Sequence, residues 1–220
     1  MKQPLTISNH KHISQAMGYL TTKCPAMRSM QKIAGDPPLR RHPPGFEGLA
    51  RIIIGQQLST ASATAIFDRV CLACGKLTAE SFVATQVTEL KAAGLSRAKI
   101  TTLSGVAEAI MAGRLSLSRP TTKKAEAFRQ NLLNQKGIGP WTVDIYEMFC
   151  LGRADAFAPG DMALQEAARR AFRSSKRPSP SDLLEIAEVW RPQRGVAARM
   201  LWTYYATGHG KTAAIEQHAT

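Results

Sequence analysis

From Phe46 onward the apolar residues recur at spacings of three and four, and strand-like alternation is nearly absent. That period lays a stripe of side chains along one face of a helix, whereas a half-buried strand needs strict alternation. Phe46–Gln57, Ser59–Cys74, Ser81–Ala93, Arg97–Met111, Thr121–Asn134, Pro140–Leu151, Asp161–Phe172 and Ser181–Val189 each read as a helix. A last helix runs through Arg199–Tyr205. Ser81 reads as an N-cap. Gly94-Leu95-Ser96 closes one helix and caps the next, Gly113 ends another, and Pro178-Ser179-Pro180 breaks the chain. The expected class is all-α.

Residues 1–45 are mixed. Helical spacing around Met17, Leu20, Met27 and Met30 is interrupted at Pro25, and two proline clusters then bracket a basic patch, Arg40-Arg41-His42. The expected organisation is an N-terminal arm over 1–45 that packs on a core domain over 46–208, followed by a flexible tail over 209–220.

Lys and Arg total 29 against 16 Asp and Glu, a formal net charge of +13. Such an excess on a folded domain points to a polyanionic partner, nucleic acid before anionic membrane. There is no long apolar run, no signal segment and no lipidation motif, so a cytoplasmic protein is expected. Four cysteines in 220 residues are too few for a disulfide-dense scaffold. Cys71 and Cys74 form a lone C-x-x-C without a second ligand pair, so buried helix cysteines are expected there rather than a metal site.

The most specific stretch is Lys136-Gly137-Ile138-Gly139-Pro140-Trp141-Thr142, between two predicted helices. Gly137 and Gly139 permit positive φ and close approach of a ligand to the backbone. Pro140 suits the first turn of a helix, where its missing N–H has no partner to lose. Ile138 is placed to plug apolar space between the helices. The free N–H groups at that helix start attract an anion, which on so basic a chain is a DNA phosphate; such a contact positions without reading sequence.

This stretch resembles the helix-hairpin-helix of the HhH-GPD superfamily of DNA base-excision glycosylases. The superfamily's Pro-Gly and aspartate follow some twenty residues on, as Ala158-Pro159-Gly160-Asp161. The resemblance covers about residues 46–208 and implies two helical subdomains with a cleft between them. Taken alone, Asp161 reads as a helix N-cap. The resemblance adds a catalytic role compatible with that one. Backbone donors at a helix start favour a charged carboxylate, and a fixed negative charge stabilises the cationic sugar formed when an N-glycosidic bond breaks. The same group can orient or deprotonate the attacking water. Asp144 and Asp155 are nearby alternatives, Asp155 more in keeping with a structural role.

Lyase-competent relatives carry a lysine two residues after the second hairpin glycine; here that residue is Trp141, so no Schiff base is expected. No cysteine follows Cys150, which excludes the four-cysteine iron–sulfur cluster of other relatives. No general-acid His or Glu accompanies Asp161 in these motifs. One carboxylate with aromatic walls suits a base that is already cationic, as an N3- or N7-alkylated purine is. Trp141 and Trp202 are the candidate walls, and Trp190-Arg191-Pro192 onward resembles the alkylation-repair branch, 3-methyladenine DNA glycosylase II. Ile145 and Met162 stand where that branch can carry tyrosines.

Gly55-Gln56-Gln57-Leu58-Ser59 resembles the family's G-Q-Q-x-S segment, with Gln57 or Leu58 as the wedge that fills the gap left by a flipped base. Gln56, Ser59, Lys136, Gly137, Ile138, Gly139, Pro140 and Thr142 complete the expected DNA contacts. Arg97 and Lys99 are expected as basic groups on a helix face. The resemblance also implies a structural sodium or potassium ion on the backbone carbonyls of Leu133, Gln135 and Ile138; no cofactor is expected to be required. The function implied is a monofunctional glycosylase, active as a monomer, that removes alkylated purines from duplex DNA, and it would associate with the nucleoid in a bacterium. Two other readings stay open. One is a non-catalytic helix-hairpin-helix DNA-binding protein, which needs neither Asp161 nor the tryptophans. The other is a glycosylase for oxidised or mismatched bases, disfavoured by Trp141 and the missing cluster.

Overall fold

The computed structural model describes residues 3–121 and 124–208. The tail expected at 209–220 and part of the start of the predicted Thr121–Asn134 helix lie outside them. Among the described residues the regular structure is helical, with one isolated bridge between Thr6 and Arg153.

Among the described residues twelve α-helices follow in order: α1 His10–Lys23, α2 Pro25–Ala34, α3 Phe46–Gly55, α4 Thr60–Cys74, α5 Ala79–Ala84, α6 Val87–Ala92, α7 Arg97–Met111, α8 Ala125–Leu133, α9 Pro140–Phe149, α10 Met162–Ala171, α11 Pro180–Ala187 and α12 Arg194–Ala206. A 3-10 turn, Glu188–Trp190, separates the last two.

Most helix starts follow the local chemistry of their caps. Asn9 accepts from the His12 N–H, Ser59 from Ser62, Ser96 from Lys99 and Ser179 from Asp182. Each such cap satisfies a backbone donor that the helix itself leaves open, worth about 1 kcal/mol. Pro25 takes the first position of α2, so the proline that ends one helix begins the next.

The predicted helix Ser81–Ala93 is in fact two. Thr78 caps α5 in a reciprocal capping box, with Ser81 at the third helical position rather than at the cap. The chain turns at Thr85, and a second capping box between Gln86 and Glu89 starts α6. Two capping signals compete here, and both are used.

The chain divides into two compact units. One comprises Met1–Arg41 with Glu147–Thr220, the other His42–Tyr146. In the first, α12 packs on α1, α2 and α10. Met17, Leu20, Met27 and Met30 are all buried there, as their spacing predicts. Burying a side chain of that size contributes about 2 kcal/mol each. Arg41 does not form an open basic patch: its guanidinium donates to the carbonyls of Ile7 and Cys150. In the second unit α7 packs on α3 and α5, around Leu49, Ile53, Phe82, Leu103 and Val106. Cys71 and Cys74 lie on α4 with half-buried, free thiols, not in the core.

Candidate active site

In the first unit Asp161 is the N-cap of α10. Its Oδ1 accepts from the backbone N–H of Ala163 at 2.9 Å and of Leu164 at 3.0 Å. The turn before it is closed by the Asp161 N–H, which donates to the Ala158 carbonyl. Pro159-Gly160 supplies that turn, and Gln165 donates back to the Pro159 carbonyl. The Trp202 indole N–H, from α12, donates to the same Oδ1 at 3.1 Å.

Trp202 is itself seated. Its ring lies 5.7 Å from that of Phe149, and the Arg199 guanidinium sits 4.6 Å from the centre of the Phe149 ring. Arg199 is 2% exposed and donates to the carbonyls of Leu39, Gly195 and Met148. Burial, reinforced by the nearby charges of Arg41 and Arg40, pushes its pKa down to about 9. Met162, the residue after Asp161, is 64% exposed.

The alternative carboxylates are both spent on arginines. Asp155 holds Arg194 through both carboxylate oxygens and Arg191 through one. That places it at the entry to α12, a structural role in keeping with the sequence reading. Asp144, in the second unit, is buried and pairs with Arg129 at 2.6 Å.

The Arg129–Asp144 pair ties α8 to α9, the two helices that flank the glycine loop. Gly137 has φ +85°, and a Cβ there would collide with the Thr102 hydroxyl of α7. Gly139 differs from expectation: its φ is not positive, and a Cβ there would meet nothing within 4 Å. The fold itself therefore demands glycine only at 137, and the backbone at 139 is open to an approaching group. Ile138 is buried. Pro140 opens α9, and Lys136 is exposed. Lys136, Lys91, Arg97 and Thr101 line a groove of about 860 Å³ beside the hairpin.

Thr142 departs from the expected direct DNA contact. Its side chain is 2% exposed and its Oγ1 accepts from Gln56 Nε2 at 2.9 Å. Gln56 is thereby satisfied inside the protein. Gln57 is exposed with φ +59°, and Leu58 is 40% exposed. Ser59 is exposed and caps α4. Lys99 is not on a solvated face either: it folds inward onto the carbonyls of Ile54 and Gln56.

Among the predicted pocket residues, Trp141 is half-buried in the first turn of α9, and Ile145 is buried on the same helix. Its neighbour Tyr146 is a core residue, donating to the Leu117 carbonyl and accepting from the Gly45 N–H. Ile145 thus presents little open wall, because the helix face that carries it is packed. Residues that sequence reasoning missed are Arg129, Phe149 and Arg199; each acts through a partner distant in sequence, so no local pattern marks it.

Among the described residues no group of three or more His, Cys, Asp or Glu side chains could hold a metal ion. No described helix is long and apolar enough to cross a membrane.

The chain thus carries a glycine hairpin between two helices in one unit and a capped aspartate at a helix start in the other. Residues 50–192 match the HhH-GPD superfamily of base excision DNA repair proteins, and the chain belongs to that superfamily. It is 30% identical over 181 residues to the alkylbase DNA glycosidase-like protein mag2 of Schizosaccharomyces pombe, covering 79% of this chain and 85% of that one. It is 32% identical to DNA-3-methyladenine glycosylase 1 of the same yeast over 165 residues, 71% of each. The solved structure of S. pombe 3-methyladenine DNA glycosylase Mag1 in complex with abasic DNA superimposes with a TM-score of 0.76 at 29% identity, covering 86% of this chain and 95% of that one.

Proposed function

We propose that this chain is a DNA glycosylase that excises alkylated purines, of the 3-methyladenine and 7-methylguanine type, from duplex DNA as the first step of base excision repair. The observation that carries the reading is Asp161, fixed by three donors on one oxygen at a helix start. Family membership supports it, as do relatives named an alkylbase DNA glycosidase-like protein and a DNA-3-methyladenine glycosylase.

The chemistry follows from the charge of the substrate. Alkylation at N3 or N7 leaves the purine cationic. When the C1′–N bond breaks, its electron pair moves to the base and neutralises it. The sugar is left as an oxocarbenium ion, which the Asp161 carboxylate stabilises electrostatically. Water then adds at C1′ with its proton passing to Asp161 or to solvent, leaving an abasic site. Trp202 supplies an aromatic face to a flipped cationic base, and Trp141 keeps the same proposed role. Met162 supplies apolar contact.

Trp141 carries no amine, so the enzyme is monofunctional and leaves the strand intact. The Gly139 backbone and Lys136 hold a phosphate at the hairpin, where Pro140 starts the helix, with no preference for flanking sequence. The hairpin carbonyls suit a structural sodium or potassium ion. Among the described residues, nothing donates to the carbonyls of Leu133 or Ile138, while Gln135 accepts from the Ile138 N–H at 3.0 Å. Leu133, Gln135 and Ile138 would hold the ion, which neutralises carbonyl oxygens beside the phosphate. The enzyme acts as a monomer wherever chromosomal DNA lies, in a bacterium the cytoplasm and its nucleoid.

The test is incubation with duplex DNA carrying N3- and N7-methylated purines. Release of free methylated base, with strand breaks only after alkali and no borohydride-trapped adduct, is expected. Tight, salt-sensitive binding without base release would leave only a DNA-binding module.

A further inference from the structure

The bend between α3 and α4 is built under tension. Gln57 sits in the left-handed region at φ +59°, where a side chain with a Cβ is disfavoured. Its own segment gives it little support: the Leu58 N–H donates to the Gly55 carbonyl at 3.3 Å. Support comes from elsewhere in the same unit. Lys99 Nζ, from the first turn of α7, donates to the Ile54 carbonyl at 2.7 Å and to the Gln56 carbonyl at 2.9 Å. Gln56 Nε2 donates to Thr142 Oγ1 at 2.9 Å on α9.

The carbonyls at the end of α3 are those a helix cannot satisfy internally, and that end carries partial negative charge. Such an end is commonly met by a basic residue in the helix's own last turn. α3 has none there. Lys99 supplies the cation across forty-five positions of sequence. Partial burial lowers its pKa from the ordinary lysine value, so the ammonium is held there against a desolvation cost.

We propose that Lys99 is a positioning residue for the base-flipping step, pinning the Gln56–Leu58 bend so that Gln57 and Leu58 project as a preformed wedge. This rests on the reading that the bend enters DNA. A wedge that is already ordered loses little freedom on entering the stack, so extrusion of a paired base is where its loss is felt. Bond cleavage in a base already unpaired does not need it.

Two measurements on the full chain test this. Hydrogen exchange of the free protein reads the clamp without any DNA. Lys99→Met keeps the stem and removes the cation, and it should speed exchange over residues 55–58 about tenfold while the α8 and α9 amides are unchanged. Single-turnover excision of a methylated purine is then compared for a paired lesion and for one opposite an abasic site. Lys99→Met should slow the paired case about tenfold and the unpaired case less than threefold, since small misplacements are costly only in the step that needs the group. Combining it with Gln57→Ala should add little, because both act on one element. If Lys99→Met does not fold, Lys99→Arg keeps the charge in altered geometry and should give a milder form of the same split.

Unchanged exchange over 55–58, equal loss on the two substrates, or additive loss with Gln57→Ala would overturn the proposal. A wild-type protein that releases no base would overturn the glycosylase reading alone, because exchange in the free protein still reports the clamp.

Discussion

The Trp202 indole N–H and two backbone N–H groups of α10 meet on one oxygen of Asp161, Oδ1, at 2.9 to 3.1 Å. The helix start and the aromatic wall thus share a single acceptor. The cap fixes where the carboxylate is, and the indole ties a base-stacking surface to it. Because Trp202 rests on Phe149, and Phe149 on the buried Arg199, the carboxylate's orientation is braced from the core of its unit.

Asp161→Asn separates the two roles of this residue. Asn caps a helix about as well as Asp, so stability should change by less than about 0.5 kcal/mol. The negative charge opposite the developing cation is lost, and excision should fall at least about 100-fold. Single-turnover base release, read beside a binding isotherm on the same duplex, checks this. Binding should be retained or tightened.

Trp202→Phe keeps a ring against Phe149 and removes the N–H. The expected loss in excision rate is about tenfold, the scale of a hydrogen bond to a charged group. It should fall on the single-turnover rate at saturating enzyme rather than on affinity for DNA. A melting temperature close to wild type would accompany it, since most of the ring contact survives.

The two hairpin glycines should part company. Gly137→Ala places a Cβ at φ +85° and against Thr102, and should destabilise the protein by roughly 2 kcal/mol. Gly139→Ala meets no neighbour and should leave stability within about 0.5 kcal/mol. It should still weaken DNA binding by about the same factor on every flanking sequence, because a phosphate contact carries no sequence information. Denaturant titration and binding to several unrelated duplexes distinguish the two.

Glu166 gives a pH signature to α10, the helix that Asp161 starts. Its carboxylate accepts from Arg169 through both oxygens and from Arg170, and these hold its pKa at about 2. A carboxylate depressed in the folded state stabilises above its unfolded pKa, and that gain is lost as pH falls toward the folded value. Glu166→Gln should therefore cost about 1 kcal/mol at neutral pH, discounted because Glu166 and Arg169 reach water. The gap to wild type should narrow as pH falls from about 4.5 toward 2. Thermal melts across that range follow it.

The helices were legible because their causes are local. A cap such as Ser96 bonds three residues ahead, and an apolar stripe repeats every turn, so both are written in adjacent letters. The hairpin and Asp161 were legible for the same reason, as short motifs at a telling spacing. Where two local signals overlapped, at Thr78 and Gln86, periodicity alone merged α5 with α6. The sequence by itself thus determined the helical class, the basic character, the family and the aspartate at a helix start. Only the tertiary structure decided which charged groups are engaged. Lys99 and Arg41 read as surface cations and turn out to hold backbone carbonyls. Thr142 read as a DNA contact and is buried against Gln56. Arg129 finds Asp144 fifteen residues on, and Trp202 finds Asp161 forty-one residues back. The reason is physical: a hydrogen bond between distant segments depends on how helices pack, and the sequence near either partner carries no trace of the other.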